Sequence, residues 1–312
     1  MDLSEADRQQ VLASCVTTTE ALMAGYRGYQ VRTRPEPPAQ GCPFLLSQEY
    51  VRRKYGPDGD WPVDLVRRIT LRALIYQSGA LQYLATINAL AIHQPYGLGL
   101  GPIARSMVEV CGKICWLLDS NLNLRDGLRQ RVARLLLDQA DDATHRKRLM
   151  AELNHPDRAL AGDAYRAARD EAAELFYDSE IDKSDKSGRL KLCGQAIPNP
   201  SKLIEIAVET CRSVGSRDGV YGYLSSMTHP TIFAFIESFP RLTSPGNDMP
   251  YLEPRTDAIF AAKLVSLGAI SFYDGWRVIA SWLGTSFQEA DEFRAKHDEL
   301  QRLIERFSAG QE

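Results

Sequence analysis

The chain has 312 residues, of which 44% are hydrophobic and 25% are charged. Both shares are typical of globular proteins, so collagen-like, coiled-coil and disordered classes are excluded. The 37 Lys and Arg residues against 40 Asp and Glu residues give a net charge of -3. Because proteins that hold nucleic acid usually carry a basic excess, this balance argues against a nucleic-acid partner.

The sequence predicts a cytoplasmic protein. The N-terminus lacks the basic and apolar regions of a secretory signal, and the apolar stretch 258–283 is interrupted by Lys263, Asp274 and Arg277, which argues against a membrane span. Six scattered cysteines without a CxxC pair indicate reduced thiols. We expect no cofactor and no membrane partner.

Helical spacing of apolar residues dominates the chain, which predicts an all-α, single-domain bundle of seven to nine helices over 1–312. A capping signal at Ser4 begins a first helix that should end near Tyr26. The Pro- and Gly-containing segment 27–46 predicts an irregular arm that acts as a lid, and a short helix follows at 47–55.

The middle of the chain predicts four helices. Pro62 is suited to the first turn of a long helix that ends near Gln94. Further helices are expected at 102–119, 125–153 and 157–180.

The last third mixes loops and helices. A polar loop at 182–200 precedes a helix from Ser201 to His229, which Pro230 ends. The remaining elements are a short segment at 231–238, a Pro/Gly loop at 239–254 and a C-terminal helical pair at about 256–308, divided by a capping box at Ser286.

Two charged residues stand out in the apolar helix 102–119. Arg105 and Glu109 are four residues apart and project from one face. Since an all-apolar helix is buried and a buried charge must be paired, one interpretation is a structural ion pair. The alternative is that Arg105 holds an anionic ligand while Glu109 orients it.

A second polar group follows the helical spacing at Tyr221, Ser225 and His229. The negative end of the helix dipole favours the imidazolium form of His229, which suits a general acid. The alternative is a histidine that caps backbone carbonyls.

Three segments in order carry a resemblance: Arg-Ser-x-x-Glu with Trp-Leu-Leu-Asp, Arg129-x-Arg131-Val-Ala-Arg134, and Tyr-x-x-x-Ser-x-x-x-His-Pro-Thr. Over about 100–235 the chain resembles a poorly characterised family of bacterial helical proteins, loosely grouped with the HEPN and abortive-infection superfamily. The resemblance implies an all-α fold in which Arg105, Glu109, Ser225 and His229 converge, and it implies no agreed activity. HEPN ribonucleases carry an Arg, then four to six residues, then the His on one helix, whereas Arg217 and His229 are twelve positions apart, which argues against RNA cleavage.

The other polar positions are assigned mainly to the surface. Asp138, Asp141 and Asp142 share one helix face, which predicts a solvated face or, alternatively, a site for Mg²⁺ and a diphosphate. The basic residues around them predict surface i,i+4 pairs or an anion-binding patch: Arg125, Arg129, Arg131, Arg134, Arg146, Lys147 and Arg148. Cys111 and Cys115 predict core packing or half of a metal site.

The function predicted from these residues is a small-molecule enzyme or binding protein with an interhelical polar pocket. The expected catalytic residues are His229, Glu109 and Tyr221, and the expected substrate-binding residues are Arg105, Ser225 and Asp274, with no metal. Asp274 alternatively pairs with Arg277. A HEPN-like RNA-acting effector and a non-catalytic interaction protein are the other predicted classes, and a homodimer is a possible assembly.

Overall fold

The structure of the chain is a computed structural model. It describes residues 3–33, 37–56, 64–93, 99–122, 126–182, 190–210, 224, 242–243, 251–252 and 258–308.

Nine α-helices carry nearly all the regular structure of these residues. In chain order they are α1 (Glu5–Thr33), α2 (Pro43–Tyr55), α3 (Asp64–His93), α4 (Leu100–Leu118), α5 (Asp126–Glu152), α6 (Arg158–Leu175), α7 (Pro200–Thr210), α8 (Ala258–Leu283) and α9 (Asp291–Ser308). Strands in the described ranges form two short antiparallel pairs, β1 (Ile181–Asp182) with β2 (Lys191–Leu192) and β3 (Leu242–Thr243) with β4 (Tyr251–Leu252). The all-α multi-helix class predicted from the sequence is confirmed.

Helices α4 and α8 form the centre of the fold. α4 packs against α3, α7 and α8. Both helices contribute to two apolar clusters, one shared with α1, α7 and α9 and the other with α2, α5 and α6. On α8, the buried rings of Phe272 and Trp276 meet Tyr26 edge-on, with centroids 5.2 and 5.5 Å apart.

The crossing of α4 and α7 depends on a glycine. A Cβ atom on Gly112 would lie 2.1 Å from the carbonyl oxygen of Leu203. Because a side chain at position 112 would collide with the Leu203 backbone, a glycine here allows α4 and α7 to approach this closely.

By length and composition α8 resembles a membrane-crossing helix. However, 89% of its most apolar window is buried inside the protein. A core helix has the same properties, so α8 gives only weak support to a membrane span.

The irregular arm expected at 27–46 is shorter in the structure. α1 continues beyond its predicted end because Tyr26 and Tyr29 are buried against the α8 side chains, which extends its apolar face. α2 already begins at Pro43, where a proline fits the first turn. Described irregular backbone in this segment is confined to 37–42, so the predicted extent of the arm was wrong, and its role as a lid stays a prediction.

The capping box expected at Ser286 does not form. The 3₁₀ turn at Gln288–Ala290 has no side-chain cap hydrogen bond, and α9 begins only at Asp291. The Glu289 carboxylate instead accepts hydrogen bonds from Arg32 of α1, because an arginine competes better for a carboxylate than a backbone N–H does.

Other boundaries differ by a few residues. The predicted polar loop at 182–200 contains the β1–β2 ladder. Of the predicted helix 201–229, the structure describes α7 and the buried helical residue Leu224. The segment 231–238 lies outside the described residues, and the pair predicted at 256–308 corresponds to α8 and α9.

Candidate functional site: a cleft with two buried arginines

A cleft of about 710 Å³ lies among α4, α5, α7 and α8. Its remaining walls are the turn 119–121, which follows α4, and the loop 196–199, which precedes α7. The wall combines an apolar set (Trp116, Ile197, Pro198, Ile206 and Val278) with a charged set (Asp119, Arg134, Lys202, Glu209 and Arg277). Clefts of roughly 300–1,000 Å³ with this mixture of groups suit small organic ligands.

Arg134 of α5 is held rigidly in this wall and is only 8% exposed. Its Nε donates to Gln195 Oε1 at 3.0 Å, and its Nη1 donates to the Trp116 carbonyl and, at 3.1 Å, to Asp119 Oδ2. Burial lowers the pKa of the Arg134 guanidinium, and Asp119 opposes the shift. Since arginine stays protonated far above neutral pH, the wall contains a desolvated positive charge.

Arg131 lies beside Arg134 and is 3% exposed. Its Nη2 donates to the carbonyls of Asp119 and Leu122 at 2.7 and 2.9 Å, and its guanidinium lies 5.1 Å from the Trp282 ring centroid. Burial lowers the pKa of Arg131 to about 10, Asp119 opposes the shift, and Arg134 adds to it. Its Nε and Nη1 have no hydrogen-bond partner among the described residues.

The local fold explains why both arginines are here. The last carbonyls of a helix have no partner within the helix and carry the negative end of its dipole. Arg131 and Arg134 of α5 donate to the Trp116 and Asp119 carbonyls at the end of α4, so they cap that helix.

The capping contacts leave a charge imbalance. Two buried guanidinium groups, Arg131 and Arg134, share the single carboxylate of Asp119, which is itself 25% exposed. Within the part of the chain that the structure describes, these two arginines therefore leave an excess of positive charge at the Arg134 side of the cleft. Low polarity around the arginines makes such an excess attractive to an anion.

The other two cations of the wall, Lys202 and Arg277, are by contrast paired with carboxylates. Arg277 Nε pairs with Asp274 Oδ1 at 2.9 Å, and Lys202 Nζ pairs with Glu205 Oε2 at 2.9 Å. Asp274 is 5% exposed, and its pairing with Arg277 is one of the two alternatives that the sequence left open. The part of the cleft that attracts an anion is thus the wall at Arg134.

Arg105 and Glu109 come together as their spacing predicts. Arg105 Nε lies 2.7 Å from Glu109 Oε1, and their side chains are 15% and 26% exposed. This geometry is that of the structural ion-pair interpretation. A ligand-holding role of Arg105 stays a prediction.

The other half of the predicted site lies outside the described residues. This applies to Tyr221, Ser225 and His229, and also to Arg217. The expected convergence of Arg105 with His229, the proton transfer assigned to His229 and the HEPN-like alternative all stay predictions.

The prediction of a solvated carboxylate face on α5 was wrong for Asp138, whose side chain is fully buried. Asp138 Oδ2 accepts from Arg72 Nε at 2.6 Å, Oδ1 accepts from Lys113 Nζ at 3.0 Å, and the Tyr76 hydroxyl donates at 2.6–2.7 Å. Asp142, which is 64% exposed, lies 3.2 Å from Arg72 Nη2. α3 and α4 pack over this part of α5 and supply two cations, which compete with a metal for Asp138.

The cysteine half-site gains no further ligand in the described ranges. Cys111 and Cys115 are buried, and burial raises the pKa of the Cys111 thiol well above its usual value. The described residues contain no cluster of three or more His, Cys, Asp or Glu side chains with the geometry for a metal ion.

Sequence reasoning placed Arg131 and Arg134 on the surface, although the signal for burial was present. The stretch 131–140 reads Arg-Val-Ala-Arg-Leu-Leu-Leu-Asp-Gln-Ala, which is apolar on every side of its charged residues. Arg105 was predicted to be buried because its helix is apolar on all sides, and the same reasoning applies to Arg131 and Arg134. The interpretation of these arginines as an anion-binding patch stays a prediction.

No family model matches the chain, and neither the curated proteins nor the solved structures contain a match.

Proposed function

We propose that the protein binds a small organic anion, a carboxylate or a phosphate ester, in the cleft among α4, α5, α7 and α8. One observation carries the proposal: Arg134, in the wall of a cleft of about 710 Å³, shares the single carboxylate of Asp119 with a second buried guanidinium, Arg131, which lies next to it outside the wall. An anion beside Arg134 offsets the excess charge, and arginine suits carboxylates and phosphates because its donors form a planar fork.

The shape of the ligand follows from the rest of the wall. Trp116, Ile197 and Ile206 favour an apolar or aromatic body next to the charged group. The amide of Asn199 and the carboxylate of Glu209 also line the cleft. They supply polar contacts that select among molecules of similar size.

The test compares charged probes with uncharged molecules of the same shape. Benzoate is compared with benzamide, and phenyl phosphate with phenol, by thermal unfolding and isothermal titration of the full chain. A ligand present at 100 times its dissociation constant stabilises the folded state by about 2.7 kcal/mol. We expect the anions to raise the melting temperature and the uncharged molecules to leave it unchanged. Equal binding of both members of a pair contradicts an anion site.

A blocking variant locates the binding. Ala196 is exposed in the loop beside the cleft, so Ala196→Trp fills the cleft without opening the core. Ala159→Trp places the same side chain on an exposed position of α6 and is the matched control. We expect Ala196→Trp to weaken anion binding at least about tenfold and Ala159→Trp to leave it unchanged. Undiminished binding by Ala196→Trp places the site elsewhere.

A further inference from the structure

The exposed face of α3 is uncharged over more than five turns. From residue 73 to residue 92 the sequence contains no Asp, Glu, Lys or Arg. Large apolar side chains on this face are open to solvent: Leu71 is 58% exposed, Ile75 is 51% exposed and Ile92 is 48% exposed. Exposed helix faces normally carry charges, so a long uncharged stripe indicates a contact surface.

The spacing along this stripe is that of a helix-pairing seam. Seven exposed residues follow one another at alternating intervals of four and three: Leu71, Ile75, Ser78, Gln82, Ala85, Ala89 and Ile92. Leu74 and Thr86 are also exposed and do not follow this spacing. We call these seven residues the α3 seam. A mean spacing of 3.5 residues keeps one stripe facing a neighbouring helix over its whole length. The Ser78 hydroxyl donates to the Leu74 carbonyl at 2.9 Å, so this polar group is already satisfied within the helix.

We propose that the α3 seam binds the same seam of a second copy of this chain, with the two helices antiparallel. In the register centred on residue 80, Leu71 faces Ala89 of the second copy and Ile75 faces Ala85. Ser78 faces the remaining polar residue, Gln82. Each of these three layers therefore joins a large side chain to a small one, or a polar side chain to a polar one, and the two-fold axis repeats every pairing. Ile92 lies beyond them, opposite Arg68, and is not part of this complementary set.

A parallel pairing lacks this complementarity. It places Leu71 against Leu71 and Ile75 against Ile75 at one end, and Ala85 against Ala85 and Ala89 against Ala89 further along. Since the distance between helix axes follows the size of the contacting side chains, such a pair splays at one end or leaves voids at the other. The antiparallel register keeps a constant separation and a close-packed seam.

The end of α1 enlarges the contact surface. Gln30 and Thr33 share a pocket of about 300 Å³ with Leu74 and Ser78, so the seam continues into this part of α1. The seam itself is roughly 30 Å long at 1.5 Å per residue. A stable interface takes about 800 Å² from each partner, which is more than one helix face supplies. We therefore expect a dimer that dissociates on dilution.

Charge substitutions test both the surface and the direction of the helices. Sedimentation velocity of the full chain over a range of concentrations is compared for Ile75→Lys, Ala85→Glu and the double variant. Residues 75 and 85 are ten positions apart, about 15 Å along one helix, so the two introduced charges meet only across the dimer. Ala167→Glu, at an exposed position of α6, is the control, and circular dichroism verifies that each variant is folded.

We expect the native chain and Ala167→Glu to dimerise with rising concentration. Each single seam variant should lose at least about tenfold in association constant, because an unpaired charge enters the seam. The double variant should regain most of that loss, since the lysine introduced at position 75 of each copy then faces the glutamate introduced at position 85 of the other.

Three results overturn the proposal. A native chain that stays monomeric at every concentration excludes self-association. The proposal then fails even if the seam binds another protein or a lipid surface. Single variants that dimerise like the native chain place the interface elsewhere. A double variant that stays monomeric contradicts the antiparallel register, because a parallel pair sets like charges against each other.

Discussion

Neutralisation of the buried Asp138 side chain is predicted to destabilise the fold strongly. In Asp138→Asn the carboxylate that accepts from Arg72, Lys113 and Tyr76 is lost, and the two cations remain side by side. Breaking a buried ion pair from one side typically costs about 3–5 kcal/mol. Arg72 and Lys113 keep 18% and 22% of their side-chain surface in contact with solvent, which places the expected loss at the lower end, about 3 kcal/mol.

The same cluster contains its own control. Asp142 also pairs with Arg72, yet it is 64% exposed and lies 3.2 Å away, so Asp142→Asn should cost no more than about 1 kcal/mol. Urea unfolding gives both free energies, and circular dichroism verifies that each variant begins folded. Equal small losses for the two variants would refute the assignment of Asp138 as the charge that joins α3, α4 and α5.

Two further changes test the packing and the electrostatics. Gly112→Ala should destabilise the protein by about 1–3 kcal/mol in urea unfolding, because its Cβ collides with the Leu203 carbonyl, whereas Gly162→Ala, where the added Cβ meets nothing within 4 Å, should stabilise it by about 0.5–1 kcal/mol. Hydrogen bonds from Arg129 lower the pKa of Glu180 to about 2, so its contribution to stability is complete above the ordinary pKa and is lost as the pH falls toward 2. Glu180→Gln should therefore lose less unfolding free energy than the native chain between about pH 5 and pH 2, and an identical acid loss in both contradicts the assignment.

The helices were predictable where local signals decide them. The boundaries of α4 and α5 differ from the expected 102–119 and 125–153 by no more than two residues. α1 extends beyond its predicted end because its last two turns pack on α8. This contact depends on residues about 250 positions away in the sequence. Local sequence carries no information on such a contact, and tertiary packing decides most helix ends that lack a strong cap.

The candidate site was predictable in part. The i,i+4 spacing was enough to predict the Arg105–Glu109 ion pair, because both residues lie on one helix and the helix geometry brings them together. The cleft instead requires α4, α5, α7 and α8 together with two loops, and the partners of Arg134 lie up to 61 positions away. The burial of Asp138 depends in the same way on Arg72 and Lys113 from two other helices.

The two buried charge clusters on α5 differ in whether their own side chains balance the buried charge, and this difference distinguishes a structural cluster from a binding site. Around Asp138, both carboxylate oxygens accept from cations or a hydroxyl, and the cations reach solvent, so the cluster is complete without a ligand. Around Arg131 and Arg134, two cations share one carboxylate, and two N–H groups of Arg131 lack a partner among the described residues. A fold that buries an excess charge beside an open cleft is stabilised by any anion that enters it, and this difference is why the cleft, and not the Asp138 cluster, is the proposed binding site.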